Sequence, residues 1–476
     1  MSTHPMEKIF YPQSIAVVGA SGNPDAQGYD LFTSLPNHGY RGAIYPVNPK
    51  YLELLGIKVY PSLKEVPGSI DYVICATPAS EILNVLRDCS QKRVKTVCLY
   101  TARFSETGRP EAAKHEQEIL KQAKKWGIRL IGPNCRGIYN PQQRISCYDC
   151  LPKETGSAGL IAQTGGGTIE IIELASRRGV YFSKAVCYGN ALDYNECDFL
   201  EYFSQDPKTK IILMYIEGVR DGKRFFKTLR QTASTKPVII LKGGRGKSGA
   251  RATASHTASL AGSMKTWETA VSQAGAISAQ NFDEVADLAV SFHFLPPIRG
   301  RRVGIAGGGG GGHAVITADQ CEEAGLDVIP LPTEMREELK SKGLAVWDWI
   351  GNPADMSIRG KTDFNSVNML RMMARNQNFD FLIVSIVLTG LISEEKTALK
   401  FIGDLKGYME VKKESSKPLL AVVPDMSLSM DDHDKWKWKL LCEVRTKLMA
   451  TNIPWYPTIE RTDRAVRKLI DYYQKR

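Results

Sequence analysis

The chain has no long apolar run and little that points to metal binding or secretion. Its longest apolar stretch, Phe381 to Ile392, contains Ser385, Thr389 and Gly390 and is too short to span a bilayer. The ten cysteines are scattered, and no second pair completes a zinc set with Cys147–Cys150. The N-terminus lacks the apolar core of a signal peptide. We therefore expect a cytoplasmic protein with no membrane association, reduced cysteines and no metal site.

Two nucleotide-binding fingerprints are also incomplete. The GxGxxG spacing of a dinucleotide site is absent, and the second predicted strand ends in Asn48 and Lys50, where an NAD site needs a carboxylate. A P-loop needs a glycine five residues before the Gly-Lys pair of Gly243–Ser248, and Leu241 stands there. These absences argue against a pyridine-nucleotide oxidoreductase and against a triphosphate site in this loop, which we expect to be mobile.

The bulk composition is that of an ordinary globular protein. The 476 residues are 43% hydrophobic and 24% charged, and their number suggests about three domains. The net charge of +11 is spread along the chain without a long basic run, so we expect no nucleic-acid partner. Small phosphate-rich ligands, or a weakly basic surface with no specific meaning, explain the excess equally well.

Strand-like apolar runs alternate with helical patterns from end to end, which predicts doubly wound α/β domains with parallel sheets. The pattern restarts twice, and a Pro- and Gly-containing connector follows Leu295. We therefore predict three domains, 1–145, 150–296 and 298–476. The predicted strands are Ser14–Ala20, Ala43–Val47, Asp71–Ala76, Thr96–Tyr100, Arg129–Ile131, Gly159–Ala162, Ser183–Cys187, Lys210–Ile216, Pro237–Leu241, Arg302–Ala306, Asp327–Pro330, Phe381–Leu388 and Leu419–Val423.

A single histidine, His256, lies in a segment of small and hydroxylated residues that runs from Ala252 to Ser263. No bulky apolar neighbour precedes Leu260, so the segment does not bury the imidazole by itself. The ring could meet a phosphoryl group, and nearby hydroxyls could donate hydrogen bonds to its oxygens. The alternative is a surface loop with an incidental histidine.

Glycine-rich loops follow the first strand of each predicted domain. Gly19–Gly22 and Gln163–Thr168 each precede a helix, where backbone amides favour an anion. Lys50 suits a phosphate better than a ribose diol, which favours a phosphorylated nucleotide such as coenzyme A over NAD. A structural tight turn at the first loop and a flexible turn at the second stay open. The six glycines at 307–312 cannot form a stable helical turn and are expected to contact another backbone or a ligand.

Taken in order, these motifs resemble those of the α subunit of the NDP-forming acyl-CoA synthetases (acetate–CoA ligase, ADP-forming), relatives of succinyl-CoA synthetase. The resemblance covers nearly the whole chain. It is carried by Ile15–Ser21, Gly132–Cys135, Gln163–Gly167, Tyr215–Gly218, Lys236–Lys242, Ser255–Thr257, the third glycine-rich loop and Gly351–Asp355. It implies a Rossmann-like CoA-binding domain followed by two flavodoxin-like, doubly wound domains.

The resemblance also implies a reaction. Phosphate would attack an acyl-CoA thioester, His256 would accept the phosphoryl group of the acyl phosphate, and ADP would then receive it. Glu217 resembles the family's partner carboxylate, which would orient the imidazole; its alternative is an ordinary exposed glutamate. Phosphate binding falls to Thr164, Gly165, Gly166, Ser255 and Thr257.

CoA binding is implied for residues at three loops of the first predicted domain and for its closing motif. Cys135 would line the thiol end of CoA and would not act as a nucleophile. The implied CoA-binding residues are Gly19, Ala20, Ser21, Gly22, Asn48, Lys50, Thr77, Pro78, Asn134 and Cys135. No ATP-grasp domain is found in the chain, so the resemblance implies a separate ATP-grasp β subunit, an α2β2 assembly, and ADP/ATP with Mg²⁺ bound through that partner.

The chain departs from the family pattern at several positions. The phosphate loop reads Gln-Thr-Gly-Gly-Gly where Gln-Ser-Gly-Ala is more usual, and Arg103 and Arg136 occupy positions that are often glycine or apolar. The departures leave the acyl group of the carboxylic acid or acyl-CoA substrate open. A non-catalytic CoA-binding sensor or scaffold is the alternative function, although such a protein would need neither Glu217 nor His256.

Overall fold

The computed structural model describes residues 4–257, 263–308, 310–344, 347–355, 364–386, 395–424 and 435–476. They form two compact units, Met1–Ala289 and Val290–Arg476. The first unit holds two largely parallel sheets and the second holds one, each alternating with helices along the chain. The predicted α/β class is confirmed, while the domain boundaries at 145–150 and 296–298 stay predictions.

The first sheet is entirely parallel, with the strand order β2-β1-β5-β6-β7. Strands β1, β5 and β6 are buried along their whole length, as their Val- and Ile-rich runs predict. The strands are β1 (Ser14–Val18), β2 (Ala43–Val47), β5 (Tyr72–Cys75), β6 (Thr96–Leu99) and β7 (Arg129–Ile131), with a hairpin of β3 (Glu53–Leu54) and β4 (Ile57–Lys58). The α-helices are α1 (Glu7–Phe10), α2 (Gln27–His38), α3 (Ile82–Gln91) and α4 (Pro110–Lys125).

The second sheet has the order β13-β12-β11-β9-β10-β8, in which only the edge strand β8 is antiparallel. The chain thus joins this sheet at β8, before the predicted boundary. Its strands are β8 (Gly137–Tyr139), β9 (Thr155–Ala162), β10 (Phe182–Cys187), β11 (Ile211–Ile216), β12 (Val238–Lys242) and β13 (Ile277–Ala279). The helices are α5 (Gly165–Ser176), α6 (Glu196–Gln205), α7 (Gly222–Ala233), α8 (Lys247–Thr257), α9 (Met264–Gln273) and α10 (Phe282–Phe294).

In both sheets the strand order reverses beside the first strand, between β1 and β5 and between β9 and β11. Ligands of open α/β sheets bind outside the carboxyl ends of the strands at such reversals. Gly19–Gly22 and Thr77 follow β1 and β5, and Gln163–Gly167 and Glu217 follow β9 and β11. The topology therefore gathers the predicted site residues at two carboxyl edges.

The second unit contains a parallel sheet in the order β14-β15-β16-β17. Asn352 fixes its edge: its side-chain amide donates to the carbonyls of Val303 and Ile329, and its carbonyl accepts from the amide of Ile305. The strands are β14 (Val303–Gly307), β15 (Phe381–Ser385), β16 (Leu419–Val422) and β17 (Trp455–Tyr456). The helices are α11 (Gly311–Glu323), α12 (Thr333–Ser341), α13 (Ser366–Arg375), α14 (Glu395–Glu414), α15 (Lys435–Ala450) and α16 (Ile459–Gln474).

Two expectations for the second unit need correction. The strand predicted at Asp327–Pro330 is reduced to one bridge, between Asp327 and Arg302. The glycine run does enter a helix, because α11 begins at Gly311, while Gly308 and Gly310 precede it with positive φ angles of 94° and 97°. Gly310 is the N-cap of this helix, a position at which glycine is well accepted. Within the described residues, no helix is both long and apolar enough to cross a bilayer.

Asp463 of α16 generates a pH-dependent prediction. Its side chain is fully buried, and burial raises the pKa of Asp463 to about 7. A hydrogen bond with the Cys321 thiol lowers this pKa, but by less than burial raises it. A pKa raised by folding stabilises the fold below the unfolded value of about 4, and this contribution is lost as the pH rises towards 7. Asp463→Asn should therefore unfold at a higher temperature than the parent protein at pH 8, with a smaller difference at pH 5.

Thermal unfolding of the full chain across this pH range measures the effect. Asp319→Asn, at an exposed position of α11, is the matched control. It should change the unfolding temperature little, and by the same amount at pH 5 and at pH 8. Parallel pH profiles for Asp463→Asn and the parent protein would contradict the prediction.

Candidate functional site

A cavity of about 420 Å³ lies in the first unit, between the end of the first sheet and the start of α5. Asn134 and Cys135, which follow β7, line one side, and Tyr100, which follows β6, lies near them. Thr164, Gly165 and Gly166 line the other side. The cavity therefore joins predicted CoA-binding residues with predicted phosphate-binding residues.

The loop after β1 depends on two glycines. Gly19 has a φ of 90°, and a Cβ atom there would lie 2.8 Å from the carbonyl oxygen of Ala76. A Cβ atom on Gly28, in the first turn of α2, would lie 1.8 Å from the carbonyl oxygen of Gly19. The tight turn left open by the sequence is therefore present, and it brings the start of α2 directly against the end of β1.

The next loop of the first sheet is tied to this turn. The side-chain amide of Asn48 donates to the carbonyl of Ala20 at 2.8 Å, and its own oxygen accepts from the amide of Lys50. The Ser21 hydroxyl lies 3.3 Å from that of Tyr51. Asn48 thus braces the glycine loop, while Lys50 lies exposed beside it.

Thr77 and Pro78 follow β5 and lie on the far side of the same turn. The Thr77 amide nitrogen lies 3.4 Å from the position that a Cβ atom on Gly19 would take, and the Thr77 carbonyl accepts from the Thr101 hydroxyl. Pro78 precedes a short 3₁₀ helix, Ala79–Glu81. The three loops of the predicted CoA-binding set therefore meet at one edge of the sheet.

Asn134 and Cys135 complete this edge. Asn134 has a positive φ of 59° and donates from its side chain to the Asn190 side-chain oxygen at 3.4 Å. The Cys135 thiol is buried, with its Sγ atom 3.7 Å from that of Cys98, and burial raises the pKa of Cys135. A thiol that stays protonated fits the predicted lining role and not that of a nucleophile.

The start of α5 presents backbone amides to the cavity. Thr164 is the N-cap in an extended conformation, and its side chain makes no capping hydrogen bond. The amides of Gly165 and Gly166 belong to the first turn, which lacks intrahelical acceptors. A Cβ atom on Gly165 would lie 2.7 Å from the Tyr148 hydroxyl oxygen, so a side chain there would require the tyrosine to move. The helix terminus favours an anion at this place.

Glu217 is buried, which excludes the exposed-glutamate alternative. Its carboxylate accepts a hydrogen bond of 3.2 Å from the Tyr215 hydroxyl, and its carbonyl accepts one of 2.6 Å from the Lys242 ammonium. The side-chain oxygen of Gln163 accepts from the amides of Glu217 and Gly218. Because Gln163 also lines the cavity, one side chain connects the cavity to the backbone of Glu217 and Gly218.

The histidine segment is helical up to Thr257, which corrects the expectation of a loop. Helix α8 begins at Lys247, within the loop expected to be mobile, and packs against the short 3₁₀ helix Ser105–Thr107 that follows β6. Small residues with good helix propensity, notably alanine, outweigh the turn-forming serine and glycine. The side chains of Ser255, His256 and Thr257, and residues 258–262, lie outside what the structure describes.

Several residues that line the cavity have no role in the sequence motifs. Tyr100, Tyr148 and Arg136 lie on its wall, and Arg136 had been noted only as a departure from the family pattern. Aromatic residues in separate loops carry no spacing signal, so the fold alone reveals them. In the described part of the chain, no group of three or more His, Cys, Asp or Glu side chains could hold a metal ion.

Comparison with known families agrees with this geometry. Residues 13–141 match the family described as a CoA binding domain, and residues 155–292 match the family described as a succinyl-CoA ligase like flavodoxin domain. Both matched segments line the cavity: Asn134 and Cys135 belong to the first segment, and Gly165 belongs to the second.

Individual relatives extend the likeness over nearly the whole chain. The α subunit of ADP-forming acetate–CoA ligase II of Pyrococcus furiosus is 36% identical, over 88% of this chain and 89% of its own length. ADP-forming acetate–CoA ligase I of Archaeoglobus fulgidus is 33% identical over 84% of this chain, which spans 57% of that longer protein.

A solved structure agrees as well. The dinucleotide-forming acetyl-coenzyme A synthetase 1 of Ca. Korarchaeum cryptofilum, in complex with phosphate and ADP, superposes with a TM-score of 0.82 at 29% identity. The match covers 99% of this chain and 98% of that one. The chain belongs to the family of ADP-forming acetate–CoA ligase α subunits, within the succinyl-CoA ligase-like acyl-CoA synthetases.

Proposed function

We propose that the chain is the α subunit of an ADP-forming acyl-CoA synthetase that works through an acyl phosphate and a phosphohistidine at His256. The reaction is acyl-CoA, phosphate and ADP to carboxylic acid, CoA and ATP, and it is reversible. The observation that carries the proposal is the cavity that places Asn134 and Cys135 opposite the amides of Gly165 and Gly166. A thioester carbonyl and a phosphate ion can meet there.

The first step joins phosphate to the acyl group. A phosphate oxygen attacks the thioester carbonyl, the carbon–sulfur bond breaks, and the CoA thiolate takes up a proton. The start of α5 holds the phosphate, with the macrodipole contributing about 0.3–2 kcal/mol of attraction. The protonated Cys135 thiol lines the end of the CoA site without competing as a nucleophile.

The second step moves the phosphoryl group to the imidazole. One ring nitrogen of His256 attacks phosphorus, and the carboxylate product leaves with the electrons of the broken phosphorus–oxygen bond. The Glu217 carboxylate accepts a hydrogen bond from the N–H of the other ring nitrogen, which fixes the tautomer and stabilises the charged phosphorylated ring. Burial and the Tyr215 and Gln163 contacts support this role, because they hold the Glu217 carboxylate and its backbone in place. Ser255 and Thr257 supply hydroxyls beside the phosphoryl group.

The final transfer to ADP requires a partner. We place ADP/ATP and Mg²⁺ on a separate ATP-grasp β subunit, in an α2β2 assembly, because a relative of nearly equal length is itself named as an α subunit. All ten cysteines of the chain are free, which suits a reducing, cytoplasmic setting. Residues 1–145, 150–296 and 298–476 remain the proposed division into a CoA-binding domain and two flavodoxin-like domains.

The phosphohistidine generates the first test of this proposal. The full chain incubated with labelled phosphate and acetyl-CoA should acquire a label that is stable to base and lost in acid, because a phosphorus–nitrogen bond hydrolyses in acid. His256→Ala should abolish the label and leave CoA affinity unchanged. His313→Ala, at an exposed position of the second unit, is the matched control. An acid-stable label, or a fully labelled His256→Ala chain, would refute the role of His256.

Glu217 provides an independent test. Glu217→Gln keeps the size and the Tyr215 hydrogen bond but loses the charge that stabilises the phosphorylated ring. Labelling should slow about 10–100-fold, as when a carboxylate that orients a histidine is removed elsewhere. CoA affinity, measured by calorimetry, should stay the same, and the exposed control Glu170→Gln should change neither quantity. An equal loss of labelling and CoA binding would indicate a folding defect and would contradict this role.

A further inference from the structure

Arg136 places a positive charge on the wall of the cavity, directly after Cys135. Among the described residues that line this cavity, Arg136 is the one that is charged. Its side chain is 24% exposed, which leaves the guanidinium partly open to the cavity.

The surroundings of Arg136 hold its guanidinium in one place. Its Nη1 atom donates to the carbonyl of Cys147 at 3.0 Å. The guanidinium carbon lies 4.3 Å from the ring centroid of Tyr148 and 5.4 Å from that of Tyr100. Stacking between aromatic rings limits the freedom of an arginine without consuming its hydrogen-bond donors.

The same group lies next to the start of α5. A Cβ atom on Gly165 would lie 3.7 Å from the Cγ atom of Arg136 and 2.7 Å from the Tyr148 hydroxyl oxygen. The arginine stem and the tyrosine hydroxyl therefore border the first residue of the helix. An anion at the amides of Gly165 and Gly166 would therefore share its cavity with Arg136.

The charge of Arg136 is only weakly neutralised by the protein. Its Nη2 atom lies 3.9 Å from a carboxylate oxygen of Asp30, which is beyond a hydrogen bond, and the Asp30 side chain is 63% exposed. A solvent-exposed ion pair of this kind contributes little. The cavity itself is therefore left with a net positive wall beside the helix terminus.

We propose that Arg136 binds the oxygens of phosphate and of the acyl phosphate, and so adds a charged ligand to the backbone amides of α5. The inference rests on the proposed function, since it names the residue that recognises the phosphoryl group in that reaction. A guanidinium can donate two parallel hydrogen bonds to one phosphate, which a helix terminus alone does not offer. Arg136 thus determines affinity for the anion and not for CoA.

A distal carboxylate on the acyl group is the competing ligand for the same guanidinium. The position of Arg136 beside Gly165 favours the phosphoryl group, because that is where the helix amides direct an anion. The two sources are separable by experiment, since phosphate affinity depends on Arg136 only in the first case.

The test measures phosphate binding by the full chain in saturating CoA, so that the sites for the phosphates of CoA are already filled. Phosphate is titrated and followed by ³¹P NMR line width, and CoA affinity is measured separately by calorimetry. Arg136→Gln should weaken phosphate binding about 10–100-fold, as expected when a charge-assisted pair of hydrogen bonds is lost. Arg136→Lys keeps the charge but loses the planar fork, so its phosphate affinity should lie between those of the parent protein and Arg136→Gln.

Controls make the result specific. Arg87→Gln removes one charge from an exposed position of α3 and should leave phosphate affinity unchanged. CoA affinity should change less than about twofold in every variant, which also excludes a folding defect. Unchanged phosphate affinity in Arg136→Gln overturns the inference. If, in addition, succinate competes with phosphate in the parent protein but not in Arg136→Gln, the guanidinium binds the carboxylate of the acyl group.

Failure of this inference is distinguishable from failure of the proposed function. Arg136-dependent phosphate binding by a chain that never becomes labelled on His256 would reject the proposed reaction and keep the anion site. If His256 becomes labelled, and labelling depends on phosphate concentration in the same way in the parent protein and in Arg136→Gln, the proposed reaction stands and the anion site at Arg136 is rejected.

Discussion

The site depends on backbone amides at the start of α5 that have no acceptor within their helix. A helix terminus in a cavity needs a hydrogen-bonding partner, and an anion is the partner that the macrodipole favours. Gly165 allows the Tyr148 hydroxyl to approach this terminus, because a Cβ atom there would lie 2.7 Å from the hydroxyl oxygen. The loops after β6 and β7 line the same cavity, opposite this terminus.

Close backbone packing shapes the loops at the carboxyl edge of the first sheet. Gly19 and Gly28 let α2 and the end of β5 meet β1, and Asn48 ties the neighbouring loop to them. On the other side, Gln163 lines the cavity and accepts hydrogen bonds from the backbone amides of Glu217 and Gly218. In the proposed reaction, Gln163 links the phosphate position to the segment that carries Glu217.

Much of this could be predicted from the sequence, because buried parallel strands and glycine loops leave strong local signals. Strands β2 and β7 begin and end where predicted, and α5 starts in the predicted glycine loop. The strand at Asp327–Pro330 failed because apolar content alone does not supply a pairing partner, and only Asp327 forms a bridge.

The remaining site features depend on tertiary contacts that no local pattern reveals. The helix at α8 was mistaken for a loop because serine, threonine and glycine favour turns, whereas packing against the segment Ser105–Thr107 favours a helix. Likewise, the sequence shows Arg136 only as an unusual residue after Cys135. Its position beside Tyr148 and near Gly165 is visible only in the folded structure.

The central claim is that an oxyanion binds at the amides of Gly165 and Gly166, inside the cavity that Cys135 lines. A crystal structure of the full chain with CoA and arsenate, which mimics phosphate and is located by its anomalous scattering, tests this directly. One arsenate should lie within hydrogen-bond distance of both amides and face the thiol end of CoA. An ordered arsenate elsewhere, with these amides bound only to water, would contradict it.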